Sequence, residues 1–247
     1  MPPFLFPLVF TIAFLYASVG FGGATGYLAV MSFFGIPPQI MASTALVLNI
    51  LVAGISFTSF YRAGHLRRDL LLPFLVTSVP AAYIGGYFKI TDQVYAVLLY
   101  AVLTYVAIRL LFFSKHQDDN RPPIPVSLPW ALLTGLGIGL LSGMVGIGGG
   151  IFLSPVIIFT RWGSPRHASA VAAAFIVLNS ISGLLGRISG GVFVLDELSL
   201  SLLPLGIFGA LAGSYFGAQR LNGVNLRRAL SAVMSLAVTN FWLTFWR

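Results

Sequence analysis

Apolar runs long enough to cross a membrane take up most of this chain. A transmembrane helix needs about 20 consecutive, mostly apolar residues. Five runs reach this length and the last two nearly do: residues 40–61, 70–88, 94–113, 168–188, 198–217, 128–145 and 228–246. The chain of 247 residues is 57% hydrophobic and 8% charged, which is more apolar surface than a soluble domain can bury. The sequence therefore predicts an all-α polytopic membrane protein in contact with the lipid bilayer.

Two glycine clusters interrupt the apolar sequence. The first lies in SVGFGGATGYLAV (18–30) and the second in SGMVGIGGGIFLSP (142–155). The apolar segments beside them are short: 4–17, 25–34 and 151–160. Because glycine is a poor helix former, the clusters predict broken, short helices near the membrane midplane. The sequence leaves open whether these segments are re-entrant hairpins or tilted full spans.

The two halves of the chain share an ordered set of features, which indicates an internal repeat. Each half has a glycine cluster, a short apolar run, a proline-containing loop (GIPPQIMAS or GSPRHASAV) and a helix carrying LVLN or IVLN. A polar stretch, SKHQDDNRPPIPVSLP, separates the halves. We therefore divide the chain into membrane repeat 1 (1–113), a polar linker (114–127) and membrane repeat 2 (128–247), with about five helical segments in each repeat.

The basic residues of the loops predict the orientation of the halves. If each half crosses the membrane five times, 11 of the 14 Lys and Arg residues lie on the linker side, and Lys89, Arg187 and Arg247 lie on the other. Basic residues favour cytoplasmic loops, so this count predicts two inverted-topology repeats with both termini outside. The net charge of +8 is then explained by loops and lipid headgroups, and no nucleic-acid partner is expected.

The glycine clusters are candidates for binding an anion. Irregular backbone at membrane depth persists only where it is buried in protein or lines a polar cavity. Glycine leaves the backbone N–H accessible, and the start of the helix that follows favours negative charge. The candidate substrate-binding glycines are Gly22, Gly23, Gly148, Gly149 and Gly150. The alternative role is close helix packing, which we expect of Gly85, Gly86 and Gly213.

Two asparagines on the helices after the clusters are further candidates. Asn49 ends LVLN and Asn179 ends IVLN, so they stand at corresponding points of the two repeats. A neutral amide donates hydrogen bonds without the cost of burying a charge. The alternative is a hydrogen bond between helices. Ser43, Thr44 and Ser180 are weaker candidates on the same helices.

The sequence offers almost no groups for catalysis. It has no cysteine, which excludes disulfides and thiolate metal sites. All six acidic residues lie in or next to predicted loops, and no Ser–His–Asp or metal-ligand set can be assembled at one depth. We therefore expect no enzyme activity, no cofactor and no metal site. A membrane middle without a carboxylate also suits anion export, which the membrane potential drives by ~2.3 kcal/mol per charge for each 100 mV.

The motifs resemble those of a known family. GMVGIGGGIFLSPVI followed by GSPRHASAVAAAFIVLNSISG, with SVGFGGATGYLAV and GIPPQIMASTALVLNILVAG in the first half, is similar to the TauE/SafE family of sulfite exporters. The resemblance covers essentially the whole chain and implies a multi-pass inner-membrane protein that exports sulfite, sulfoacetate or related organic anions. The first half departs from the pattern at Ala24, Leu28 and Ala29, so the two sides of a glycine site would be unequal.

The sequence thus predicts a membrane transporter that exports a small sulfur-containing anion held by backbone amides of the two clusters. Two alternatives stay open: a transporter of another small solute, and a membrane scaffold or assembly protein that transports nothing. The sequence also leaves open whether the chain forms a homo-oligomer.

Overall fold

The computed structural model describes residues 4–19, 21–112 and 124–217, and within these ranges the protein is helical with no strand. The helices are α1 (Leu5–Val19), α2 (Ala24–Phe33), α3 (Pro38–Arg62), α4 (Arg68–Tyr87), α5 (Asp92–Phe112), α6 (Leu128–Val145), α7 (Gly150–Phe159), α8 (Pro165–Ser189) and α9 (Glu197–Gly217). The all-helical, polytopic architecture is therefore confirmed.

Five of the described helices are long and apolar enough to cross a membrane. These are Pro38–Arg62, Arg68–Tyr87, Leu128–Val145, Arg166–Ser189 and Glu197–Tyr215. The predicted run 94–113 forms α5, whereas the predicted run 228–246 lies outside the described residues, as does most of the linker. Where a predicted run can be compared, it corresponds to a helix.

The two longest helices, α3 and α8, are built alike. Each has 25 residues and begins with proline at its first position, where the missing N–H costs nothing. In α8 the Ser164 hydroxyl also accepts a hydrogen bond from the His167 N–H, at 3.4 Å. A helix of this length extends about 37 Å, more than the hydrocarbon thickness of a bilayer. Residues halfway along α3 and α8 therefore lie far from both ends of the bundle.

The helices α3 and α8 pack against each other in opposite directions. The Arg187 guanidinium, in the last turn of α8, donates at 3.3 Å to the Gln39 carbonyl in the first turn of α3. Antiparallel packing of corresponding helices is what inverted halves require. The inverted relation of the whole repeats stays a prediction.

Glycines let three helix pairs approach closely. On α6, a Cβ at Gly135 would lie 2.5 Å from the Phe74 carbonyl oxygen of α4. Gly86 of α4 faces the Gly183 backbone of α8 in the same way, and Gly213 of α9 faces the Phe14 backbone of α1. The predicted packing role of Gly86 and Gly213 is thus confirmed, and Gly85 likewise meets the backbone of α6.

Three loops that the charge count assigns to the linker side meet at one end of the bundle. The Arg67 guanidinium, between α3 and α4, donates at 3.1 Å to the Trp162 carbonyl between α7 and α8. The Ile124 N–H, just before α6, donates at 2.9 Å to the Arg161 carbonyl, which brings the end of the linker to the same place. Which end faces the cytoplasm stays a prediction.

Candidate functional site

Each half of the protein contains a helix break. One lies between α1 and α2 and includes residues 21–23, and the other, of four residues, separates α6 from α7. Gly23 and Gly149, which directly precede the short helices, have left-handed φ angles of +91° and +80°. Gly148 has φ +76° as well, so L-residues with a side chain would be strained there. The short helices have ten residues each, about 15 Å, which is half a membrane thickness. The two predicted breaks are therefore confirmed.

The two breaks meet at one amide side chain. A Cβ placed on Gly22 would lie 2.6 Å from Oδ1 of Asn49 and 3.0 Å from Cγ2 of Ile176. A Cβ placed on Gly148 would lie 2.7 Å from Nδ2 of Asn49, 2.9 Å from the same carbon of Ile176 and 3.0 Å from Oγ of Ser180. We call this contact between Gly22, Gly148, Asn49, Ile176 and Ser180 the crossing. It brings both glycine clusters into contact with α3 and α8.

The polar groups at the crossing lack hydrogen-bond partners. Asn49 and Ser180 are fully buried, and neither amide atom of Asn49 nor the hydroxyl of Ser180 has a partner among the described residues. An unsatisfied buried polar group costs about 1–3 kcal/mol. Such groups are rare in native proteins and point to a role other than stability, or to a bound species.

Tyr27 is a further candidate residue that the sequence analysis did not single out. It lies in the first turn of α2, is fully buried, and its hydroxyl also lacks a partner among the described residues. A Cβ on Gly23 would lie 2.8 Å from that hydroxyl. A tyrosine four residues after the cluster glycine was the available signal, since this spacing puts the side chain over the start of its own helix.

Two of the five candidate glycines face apolar side chains. A Cβ on Gly149 would lie 2.6 Å from Cγ2 of Ile138 and 2.9 Å from the ring of Phe175. A Cβ on Gly150 would lie 2.5 Å from Ile176 and 2.9 Å from the Ala172 carbonyl oxygen. Gly148 is thus the candidate glycine of the second cluster that faces polar side chains, whereas the first break contacts the amide and the tyrosine hydroxyl.

Asn179 does not occupy the position that corresponds to Asn49. Asn49 is the twelfth residue of α3, and the twelfth residue of α8 is Ile176; Asn179 is the fifteenth. The Asn179 amide donates at 2.9 Å to the Phe175 carbonyl of its own helix, and only its Oδ1 lacks a partner among the described residues. The prediction that the two asparagines stand at corresponding points was wrong, because IVLN is displaced by three residues relative to the start of its helix.

Ser43 and Thr44 lie away from the crossing, near the start of α3. The Ser43 hydroxyl accepts at 3.3 Å from the Arg187 guanidinium and at 3.3 Å from the Val194 N–H. The Thr44 hydroxyl is 2.6 Å from that of Ser199 at the start of α9. Both side chains are thus engaged in contacts between helix ends.

The crossing and its neighbour Tyr27 present several hydrogen-bond donors. The amide nitrogen of Asn49 and the hydroxyl of Ser180 can donate at the crossing, and the hydroxyl of Tyr27 can donate beside Gly23. The first N–H groups of a helix have no partner within that helix. No group of three or more metal-ligating side chains occurs in the described part of the chain. Donors at two helix starts, without a competing carboxylate, are suited to holding an oxyanion.

The chain matches known proteins along most of its length. Residues 5–241 match the family described as Sulfite exporter TauE/SafE. A probable membrane transporter protein of Sinorhizobium fredii is 33% identical over 230 residues, which covers 92% of this chain and 93% of that protein. Probable membrane transporter proteins of Methanocaldococcus jannaschii (23% identical, 94% and 93% covered) and Bacillus subtilis (25%, 87% and 88%) are similar too. No solved structure matches. This multi-pass membrane protein is thus a transporter that belongs to the TauE/SafE family.

Proposed function

We propose that the protein exports a small sulfur-containing anion, sulfite or an organosulfonate such as sulfoacetate, across the inner membrane and binds it at the crossing. The observation that carries the proposal is the Asn49 amide, which faces both glycine breaks and has no hydrogen-bond partner among the described residues. An anion between the breaks would satisfy the donors of Asn49 and Ser180 together. The family and the relatives support transport; the substrate and its site are our inference.

Charge supports an anion over a cation. The described acidic residues stand at helix ends: Asp69 in the first turn of α4, Asp92 at the start of α5, and Asp196 and Glu197 at the start of α9. A cation at the crossing would therefore find no counter-charge close by, whereas an anion finds donors.

The crossing is closed in the structure. A Cβ built on Gly22 or on Gly148 would lie within 3.0 Å of both Asn49 and Ile176, so neither glycine has room for even a methyl group. Binding requires the breaks to move apart, as happens when one half of a transporter rocks against the other. The unsatisfied groups of Asn49 and Ser180 raise the free energy of the closed state, and an anion that pairs with them would offset that cost on opening.

The Asn49 amide also favours an anion that carries a proton. An amide offers an acceptor as well as a donor, and both are unpartnered here. Hydrogen sulfite has one hydroxyl or S–H group and several acceptor oxygens, so it can pair with both atoms. A fully ionised sulfonate pairs only with the donor.

Electrical measurement tests the proposal. The protein is reconstituted in liposomes on a supported membrane, and sulfite, sulfoacetate, sulfate and chloride are applied in turn. We expect currents for sulfite or sulfoacetate with the sign of anion movement, driven by membrane potential without a proton or sodium gradient. Currents of cation sign would favour a carrier for another solute. No current and no oxyanion binding by folded protein would favour a scaffold.

A further inference from the structure

A second polar site lies at one end of the bundle, away from the crossing. A pocket there is formed where the start of α3, the loop between α4 and α5, and the end of α8 come together. The residues that define its chemistry are Gln39, Lys89, Ile90, Asp92, Tyr95 and Arg187. The charge count treated Arg187 as an ordinary loop residue. In the structure, Arg187 forms part of the wall of this pocket.

The Arg187 guanidinium is buried without a counter-charge. The residue is only 5% exposed, and the described chain has no carboxylate within ion-pair distance of it. Its two hydrogen bonds are long, 3.3 Å to the Ser43 hydroxyl and 3.3 Å to the Gln39 carbonyl, and both acceptors are neutral. A guanidinium has five N–H donors, so most of its capacity is unused. Burying a cation in a membrane helix is expensive, and such residues mark functional sites.

The pocket as a whole carries positive charge. Lys89 and Arg187 contribute two cationic groups, and Asp92 contributes the single carboxylate. Lys89 and Asp92 are exposed, whereas Arg187 is buried, so Arg187 is the group least screened by water. This combination of a fixed, desolvated guanidinium with a flexible lysine is suited to an oxyanion.

A line along α8 connects the pocket to the crossing. Ser180 and Arg187 are seven residues apart, which places them on the same face of the helix, about 10 Å from each other. Between them on that face lies Gly183, which packs against the Gly86 backbone of α4 and the Gly143 backbone of α6. These helices must move away from α8 before an anion at Arg187 reaches Ser180, whose hydroxyl faces Gly148 at the crossing.

We propose that Arg187 and Lys89 form a second binding site for sulfonate or sulfite, at the end of the transport path that lies next to the α4–α5 loop. The proposal rests on the proposed function for the identity of the path, but binding at this pocket can be measured without transport. Arg187 holds the anion directly, and Lys89 raises its local concentration.

A single-cysteine experiment tests the pocket. The natural chain has no cysteine, so Ile90→Cys introduces one thiol into the pocket, which we call the pocket thiol. Its rates of reaction are measured with the anionic 2-sulfonatoethyl and the cationic trimethylammonioethyl methanethiosulfonates. Sulfoacetate then serves as the competing anion, since sulfite itself attacks disulfides. Ala63→Cys, at an exposed position just past the opposite end of α3, supplies the matched control thiol.

We expect Arg187→Gln to lower the ratio of anionic to cationic rates at the pocket thiol roughly tenfold, with no change at the control thiol. Sulfoacetate slows the modification of the pocket thiol, and Arg187→Gln removes this protection while Arg187→Lys keeps part of it. Lys89→Gln lowers the rate ratio and Asp92→Asn raises it; both residues are exposed, so neither change depends on refolding a buried side chain.

Protection that is absent, or that survives Arg187→Gln in folded protein, would overturn the proposal. A rate ratio at the pocket thiol that stays unchanged in Arg187→Gln, Lys89→Gln and Asp92→Asn would overturn the proposal too. Asn49→Leu distinguishes this failure from a failure of the proposed function: it should raise the half-saturating concentration for transport and leave protection of the pocket thiol intact.

Discussion

The helices α3 and α8 are alike in backbone and different in chemistry. Both have 25 residues, start at a proline and pass beside both glycine breaks at their twelfth residue. At that position α3 carries the polar Asn49 and α8 carries the apolar Ile176. The two helices therefore have like positions, the twelfth residue of each, and carry an amide at only one of them.

The difference between Asn49 and Ile176 distinguishes a residue that packing explains from a residue that packing does not explain. An apolar residue such as Ile176 satisfies packing beside the breaks, so packing does not explain an unpartnered amide in the equivalent place. Asn49 costs stability that Ile176 does not, and we assign that cost to binding. Substitutions at and near the crossing test this assignment, and the first of them should have the largest effect.

A methyl group added at Gly148, beside Asn49 and Ile176, should abolish transport. In Gly148→Ala the added methyl meets Asn49 and Ser180 and also strains a residue with φ +76°, at about 1–2 kcal/mol. Gly64→Ala is the matched control, because Gly64 has φ +74° and no atom within 4 Å of its Cβ position. Sulfite currents and melting temperatures are measured for both. We expect both variants to melt lower and only Gly148→Ala to lose current; equal currents would contradict the crossing as the site.

Removing the amide should separate transport from stability. For Asn49→Leu we expect the half-saturating sulfite concentration to rise about tenfold to a hundredfold, the value of a lost hydrogen bond to a charged group. The free energy of unfolding should stay the same or rise by up to about 3 kcal/mol, because an unsatisfied amide is removed. Ile176→Leu is the control and should change neither quantity much. A variant that melts lower and transports normally would show that Asn49 has a structural role.

Exchanging Asn49 and Ile176 should move the amide from α3 to α8 and keep it beside both glycine breaks. Asn49→Ile alone should fail to transport at low sulfite. Adding Ile176→Asn places an amide beside the same two glycines, from α8, and should recover about tenfold in sulfite affinity. The dose dependence of the current reports this. No recovery in a folded double variant would show that the two positions are not equivalent for binding.

Asn179 should have the smallest effect. Its amide already donates to the Phe175 carbonyl, and the loss of such a bond within a membrane protein costs about 0.6 kcal/mol. Asn179→Ala should therefore shift the half-saturating sulfite concentration by less than about threefold. A loss as large as that of Asn49→Leu would make Asn179 a site residue after all.

The sequence was sufficient to predict the helices and their breaks, because these depend on local properties. In lipid, the backbone groups of a long apolar run must be hydrogen-bonded within the protein, which favours a helix. Glycine clusters mark where these helices stop. The packing glycines were predicted because small residues let membrane helices approach closely. In the structure a Cβ at Gly86 or Gly213 would collide with the backbone of the neighbouring helix.

The details of the site depended on registry and burial, which the sequence did not reveal. LVLN and IVLN look equivalent, but a shift of three residues moves a side chain almost one turn along a helix and about 60° around it. That shift separates Asn179 from the crossing and puts Ile176 there instead. Tyr27 and Arg187 were missed because composition says nothing about whether a tyrosine or an arginine is buried.

The most direct test is to locate the anion. Crystals of the protein grown with selenite, a heavier analogue of sulfite, allow selenium to be found by its anomalous scattering in the wild type and in Asn49→Leu. We predict a selenium peak between Gly22 and Gly148 of the wild type, with a selenite oxygen about 3 Å from Nδ2 of Asn49, and no such peak in the variant. A well-occupied selenite elsewhere, with the crossing empty in protein that transports selenite, would contradict binding at the crossing.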